Sequence, residues 1–353
     1  MAINLVTKYS KKVQERFYAE SITQSAFEKD LDMEFVGAKT VKVYEVGTAP
    51  MNNYTRSGTS RYGTPAELQD TLYEFTMSQD RSFTYTIDRG NQEEQNYLKA
   101  AGASLSRQVR EVVTPEIDAY RLGVWTSKAG QHIALANAPS KSDIVDKMFD
   151  ANVALDNIHV PKSGRTFFIK ASLYKALKLS TEFIAVQDLG KKSISKGQVG
   201  ELDGIPVKMI ADGDMPNNVY FFMAYKRAMI SPMKLQDYKT HTDPPGINGW
   251  LIEGRILYDA FVKPTYANGI YVACAANTVC TTPTLAESSG TVTITLQSGE
   301  TGKYTTDGSD PRFSPTALDY DSSSKPTITS GQTLKAAAVK TGSFWSNVAS
   351  ITA

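Results

Sequence analysis

Three histidines and two cysteines are the side chains in this sequence best suited to proton transfer, nucleophilic attack or metal binding. His132, His159 and His241 stand in three separate segments, and none takes part in an H-x-x-H or H-E-x-x-H spacing. A helical zinc site needs two imidazoles about one turn apart, so each histidine reads as an ordinary hydrogen-bonded or surface residue. Cys274 and Cys280 are six positions apart, a spacing that matches no zinc pattern. They read as reduced thiols beside a domain junction, with a hairpin disulfide as the alternative in an oxidising environment.

The remaining motifs are equally thin. Gly200-Glu-Leu-Asp-Gly204 lacks the G-x-x-x-x-G-K-[ST] order of a phosphate loop and reads as a turn between strands. Asp307-Gly308-Ser309-Asp310 lacks the acidic spacing and terminal glutamate of a calcium loop and reads as a tight turn. Lys191-Lys192-Ser-Ile-Ser-Lys196 and the N-terminal Lys8, Lys11, Lys12 and Arg16 are short clusters among neutral residues. They read as solvated surface, with phosphate contact the alternative. A glycosidase would need a placed pair of acids, and none can be assigned. No residue receives a catalytic, cofactor-binding or metal-binding role.

Bulk properties point the same way. The 353 residues are 41% hydrophobic and 21% charged, with 38 basic side chains against 37 acidic ones. A protein built to grip nucleic acid through phosphates would carry a clear basic excess. Near-neutral charge instead lets like subunits approach without strong repulsion. The N-terminus lacks an apolar stretch of signal-peptide length, and no later run approaches the 18 or so residues needed to cross a bilayer. A cytosolic protein with no membrane partner is expected.

The elements that would position any site follow in order. Residues 1–40 mix charge with scattered large side chains and read as an extended arm. Val41, Val43 and Glu45 alternate with Lys42 and Tyr44, a strand signal. A loop rich in Gly, Pro, Ser and Thr follows from Gly47 to Glu67, then strand-like runs at Thr71–Met77 and Ser82–Ile87. The whole is a long two-stranded excursion, which is marginal alone in water and should lie against a partner. Asn91 to about Leu122 reads as one long helix, with Pro115 expected to kink it and free the Glu111 carbonyl. After Ala138-Pro139, Ser140 is placed to cap a second helix with Asp143 at its third position. Arg165–Lys170 is a strand, Ala171–Leu179 a short helix, and Gly190–Gly200 an exposed loop. Ile205–Ile210 and Val219–Tyr225 are strands, and one strong strand, Trp250–Val262, is expected to close the main domain. After Ala276 serine and threonine supply more than a third of the residues. Val292, Ile294 and Leu296, then Leu334, Ala336 and Ala338, alternate between turn signals, which describes a small β-sandwich.

This order of parts resembles the major capsid proteins of tailed bacteriophages, with the Hong Kong 97-type fold. Five phrases carry the likeness: Tyr54-Thr-Arg-Ser-Gly-Thr-Ser-Arg-Tyr-Gly-Thr-Pro65, Ser78-Gln-Asp-Arg-Ser-Phe-Thr-Tyr-Thr-Ile-Asp88, Val113-Thr-Pro-Glu-Ile-Asp-Ala-Tyr120, Gly200-Glu-Leu-Asp-Gly-Ile-Pro-Val207 and Ile252-Glu-Gly-Arg-Ile-Leu-Tyr-Asp-Ala-Phe-Val262. The resemblance implies an α+β capsid domain over 1–275. Its parts would be an N-arm (about 1–40), E-loop (about 41–88), spine helix (about 91–122), A-domain (about 130–240) and returning P-domain strand (about 247–275). Residues 276–353 resemble a different module. Tyr304-Thr-Thr-Asp-Gly-Ser-Asp-Pro311 and Ile328-Thr-Ser-Gly-Gln-Thr-Leu-Lys-Ala-Ala-Ala-Val339 are similar to the immunoglobulin-like domain at the C-terminus of chitobiase-type hexosaminidases. In that likeness Asp307-Gly308 makes a hairpin turn.

The capsid resemblance implies a structural, non-enzymatic subunit that assembles with itself into hexamers and pentamers. It would form the icosahedral head of a virion, having been made in the host cytoplasm. It further implies non-specific contact with packaged double-stranded DNA, and a portal and a separate scaffold protein, since the arm is too short to be a built-in scaffold. No lysine–asparagine crosslinking pair can be matched. Two alternatives stay open. One is an encapsulin-type compartment shell. The other is a surface module binding host glycans through Tyr304, Phe313, Phe344 and Trp345.

Overall fold

A computed structural model describes residues 21–28, 33–36, 39–49, 51–65, 67–68, 70–90, 101–180, 198–314 and 316–353. The chain divides into two units, one of residues 29–89 with 232–259, the other of the remaining residues.

The smaller unit holds two antiparallel sheets. In the first, β1 (Met33–Val36) pairs with β2 (Thr40–Val46), and β2 with β3 (Asp70–Thr76), from Thr40 opposite Thr76 to Val46 opposite Asp70. Period-two alternation separates the faces. Val41 and Val43 are buried opposite Phe75 and Tyr73, whereas Tyr44, Val46 and Leu72 turn to the other face and are exposed. In the second sheet β4 (Gln79–Asp88) pairs along its whole length with β12 (Gly249–Tyr258), which also pairs with β11 (Met233–Thr242). Gly254 stands directly opposite Phe83 and Tyr238, and their rings occupy the space a Cβ would need. A side chain there would collide with the aromatic pair, so glycine is set by packing at this position.

The larger unit is built on a six-stranded mixed sheet. Its strands are β5 (Gln131–Leu135), β6 (Arg165–Lys170), β7 (Gln198–Leu202), β8 (Ile205–Ile210), β9 (Val219–Tyr225) and β14 (Ile270–Ala275), in the order β5-β14-β9-β6-β8-β7. Helices lie on both faces, and the inner strands β6, β9 and β14 therefore bury both sets of side chains. On one face Ile144, Met148, Ala151 and Leu155 of α3 (Ile144–Asn157) and Leu173 and Leu177 of α4 (Ala171–Lys178) pack on Phe167, Ile169, Phe221 and Met223. On the other, Leu122 and Trp125 of α2 (Thr114–Ser127), with Phe27, pack on Phe168, Phe222, Ile270 and Val272. Full burial contributes on the order of 1.5–3 kcal/mol per large apolar side chain. A short pairing of β10 (Met229–Ile230) with β13 (Phe261–Val262) completes this part.

Residues 276–353 add the hairpin of β15 (Thr284–Ser288) and β16 (Thr291–Thr295). A four-stranded sheet follows, in the order β18-β17-β19-β20, made of β17 (Thr301–Thr305), β18 (Leu318–Asp319), β19 (Thr333–Val339) and β20 (Ala349–Thr352). Val292, Ile294, Ile328, Leu334 and Ala336 form a separate core between them.

Several expectations change. The long helix is described from α1 (Ala101–Gln108) and reaches Ser127; residues 91–100 lie outside the described residues. Ahead of Pro115 stands a π turn, Val109–Val113, in which the Thr114 N–H reaches the Val109 carbonyl. The wider turn carries the helix into a residue that lacks its own N–H. Ser140 and Asp143 meet as expected, and the Ser142 N–H reaches the Ser140 hydroxyl at 3.4 Å, but this pairing stands ahead of the helix. The Ser140 N–H and O–H both donate to the Asp143 carboxylate, at 2.6 and 2.5 Å, and the helix begins at Ile144. The expected strand Trp250–Val262 is two strands, interrupted at Asp259-Ala260, where the Asp259 carboxylate accepts from the Ser78 N–H and hydroxyl. Asp307-Gly308 does not make a tight hairpin turn; it lies near the start of the long loop that joins the antiparallel neighbours β17 and β18.

Candidate assembly surfaces

The residues considered first for chemistry do not converge. Among the described residues no group of three His, Cys, Asp or Glu side chains could hold a metal ion. His159 sits in a turn with φ of 59°, and His241 pairs with Glu253 at 3.3 Å on an exposed strand face. His132 is buried at the start of β5. Cys274 and Cys280 are free and buried; burial pushes their thiols up to about 12 and about 11. A thiol held protonated in this way is a poor nucleophile. Asp203 and Gly204 both take positive φ in the turn between β7 and β8, as expected of a turn rather than a phosphate loop. Hydrogen bonds from Ser309 and Thr316 occupy the Asp307 carboxylate and hold it down to about 2. The lysine cluster 191–196 and the basic N-terminal cluster lie outside the described residues.

The four aromatic residues considered for a glycan platform are divided. Phe313 and Phe344 pack against the main core, Tyr304 packs into the sandwich core, and Trp345 is half-buried. The described side chains therefore do not present three adjacent free rings.

Surface that does stand ready for a partner lies on the hairpin sheet of the smaller unit. Tyr44 and Leu72 oppose each other on its exposed face, beside Val46 at 67% exposure. In the loop beyond, Met51 is 98% and Tyr62 83% exposed. The loop has some order of its own, since the Thr55 N–H donates to Arg61, and Tyr54 and Tyr62 meet edge-to-face at 5.1 Å. Scattered exposed apolar residues are ordinary, but a contiguous set marks an interaction surface. The alternation around Val41 pointed to this strand; the exposure of its opposite face needed the β2–β3 register.

A second feature ties residues 21–28 to the long helix. The Asp118 carboxylate accepts from the Ser21 hydroxyl (2.7 Å), the Ile22 N–H (3.0 Å) and the Thr23 hydroxyl (2.5 Å). Arg121, one turn on, donates to Ser231 and Thr23 and lies over the Phe27 ring at 4.8 Å. Lys208 donates to the Ile22 carbonyl at 2.8 Å and to the Ser25 hydroxyl at 2.5 Å; burial pushes its ammonium down to about 8. Three buried ionisable side chains thus grip a short stretch of what the sequence presents as an arm. Sequence reading missed them, although Asp118 and Arg121, at i and i+3 within a helix that otherwise buries Ile117 and Leu122, were a readable signal.

No family model matches the chain, and no curated protein is detectably similar to it. Solved structures are. A chain of the capsid of the cyanophage P-SCSP1u is 13% identical, with a TM-score of 0.61 over 77% of this chain and 93% of that one. A chain from the mature capsid of bacteriophage PhiM1 is 9% identical, with a TM-score of 0.57 over 77% and 92%. One from the head of Helicobacter pylori bacteriophage KHP40 is 11% identical, with a TM-score of 0.54 over 76% and 95%. Nearly the whole of each phage chain is matched, and on that likeness this protein has the fold of tailed-phage capsid chains, the Hong Kong 97-type fold.

Proposed function

We propose that this protein is the major capsid subunit of a tailed bacteriophage, a structural protein whose work is done by its interfaces. Fold alone does not assign function. The observation that carries the reading is the exposed apolar face of the β2–β3 hairpin and its loop, at the place where this fold carries its E-loop. A monomeric role leaves Tyr44, Val46, Leu72, Met51 and Tyr62 in water, whereas an E-loop laid over a neighbouring subunit buries them. At ~25 cal/mol per Å² such burial is the largest favourable term in assembly, offset by the cost of association. Many modest contacts per subunit then hold a closed shell of hexamers and pentamers while each stays reversible enough to correct errors.

On this reading residues 1–275 supply the shell and residues 276–353 are an added immunoglobulin-like module on its outer surface. The share of the chain matched by the phage structures, 76 to 77% in the three described, supports that division. A separate scaffold protein, a portal and non-specifically held DNA are the expected partners.

Deleting Arg56–Gly63 from the loop tests the proposal. The variant should stay folded by circular dichroism and lose particle yield. Normal particles from it would overturn the assigned role of the loop.

A further inference from the structure

The C-terminal module meets the six-stranded sheet at one buried histidine. Phe344 lies nearly parallel to His132, with ring centroids 4.8 Å apart and planes inclined by 14°. Main-chain bonds fix Phe344 to the start of the module: its N–H donates to the Thr278 carbonyl at 2.7 Å, and its carbonyl accepts from the Cys280 N–H at 3.0 Å. Beside it Arg312, its side chain almost wholly buried, donates to the Gly130 carbonyl and to Asn268 Oδ1 while ion-paired with Asp310 at 2.7 Å. Gly130 immediately precedes β5, and it has no room for a Cβ against Ala267 and Asn268. The Arg312 contact therefore pins the same end of β5 that carries His132.

We propose that residues 277–353 are held on the sheet by a proton-sensitive latch, in which His132 must stay neutral for Phe344 and Arg312 to remain docked. His132 Nε2 lies 2.7 Å from the Thr126 carbonyl, so that nitrogen carries the hydrogen. Nδ1 is buried without a hydrogen-bond partner among the described residues. The helix α2 offers the ring that carbonyl. Strand β14 offers Val272, opposite His132, and the protonated thiol of Cys274 on the same face. The module offers the Phe344 face and the Arg312 cation with its Asp310 partner. A proton on Nδ1 would create a second buried cation beside Arg312, whose own carboxylate is already engaged. The Phe344 ring attracts a cation only weakly, and desolvation outweighs it.

Burial, reinforced by the Arg312 charge and opposed by the Thr126 carbonyl, holds the imidazole down to about 4. Undocked, it would titrate near its ordinary value of about 6.5. A base whose pKa is depressed in the docked state favours docking fully above about pH 6.5 and loses that advantage as pH falls toward 4. By linkage, opening at pH 5 is favoured roughly thirty-fold over pH 7.5.

Cys274 and Cys280 are built-in reporters, because both thiols are buried at this junction. Their reaction with 4,4′-dithiodipyridine in the full chain is measured at pH 7.5 and pH 5, each rate divided by that of free cysteine at the same pH. The wild-type ratio should rise roughly thirty-fold on acidification. His132→Gln, which keeps a donor for Thr126 but cannot titrate here, should show no rise; His132→Phe replaces it if the glutamine variant does not fold. Phe344→Ala should react fast at both pH values. A wild-type ratio that stays flat, or a rise equal in the non-titrating variant, would overturn the latch.

Discussion

Tyr44 and Leu72 stand directly opposite one another across the β2–β3 ladder, on the exposed face of a sheet that buries Val41 and Val43 on the other. A cross-strand apolar pair turned to solvent contributes little to the subunit that carries it. Replacing both residues with serine should therefore change the unfolding free energy of the isolated subunit by no more than about 1 kcal/mol. The same double variant should assemble poorly. Denaturant melts and sedimentation velocity on one preparation separate the two effects. A large loss of stability would mean that the pair belongs to the subunit's own core.

The grip on residues 21–28 should be costly to break. Asp118→Ala removes the acceptor for Ser21, Ile22 and Thr23 and takes the Asp118 carboxylate away from the buried Arg121. Breaking a buried ion pair from one side costs about 3–5 kcal/mol. Urea unfolding should show a loss of that size, and proteolysis should cut near the N-terminus sooner than in wild type. A change below about 1 kcal/mol would show that the segment is held by other contacts.

Lys208 gives a signed pH dependence. Its folded-state pKa, near 8, lies below the unfolded value near 10.5, so between those limits the unfolded chain binds more protons. Its contribution to stability therefore rises with pH from about 8 to about 10.5. Lys208→Met should flatten this part of the stability profile, read as the difference between wild-type and variant urea midpoints at each pH. Parallel profiles would contradict the assignment.

Gly254→Ala should strain the β4–β12–β11 sheet, because the added methyl meets the Phe83 and Tyr238 rings. Overpacking of this kind costs about 1–3 kcal/mol. Gly254→Ala combined with Phe83→Leu should recover part of that loss, which a thermal-unfolding cycle of the four proteins would reveal.

What the sequence disclosed and what it withheld have physical causes. Strands such as Arg165–Lys170 and Val219–Tyr225 announced themselves because both faces are buried, leaving nearly continuous apolar runs. Ile270–Ala275 has the same character and lies beside β9, but it follows a short 3-10 turn, and the expected returning strand of about 247–275 does not mark it off as a strand of its own. The break at Asp259 could not be read locally, since the carboxylate that makes it answers Ser78, far away in sequence. The same holds for the assembly surface. Alternation marked β2 as a strand, but which of its faces stays in water depended on its pairing with β3. Arg165, buried among Asn152, Asp156 and the Val160 carbonyl, is likewise a charge that only tertiary structure explains.

The central claim is that this chain builds a shell with copies of itself. Electron microscopy of the full-length protein, expressed with and without the genes that neighbour its own, tests it most directly. The account predicts closed shells or rings of capsomers in at least one of the two preparations. A clean monomer under every condition would contradict it.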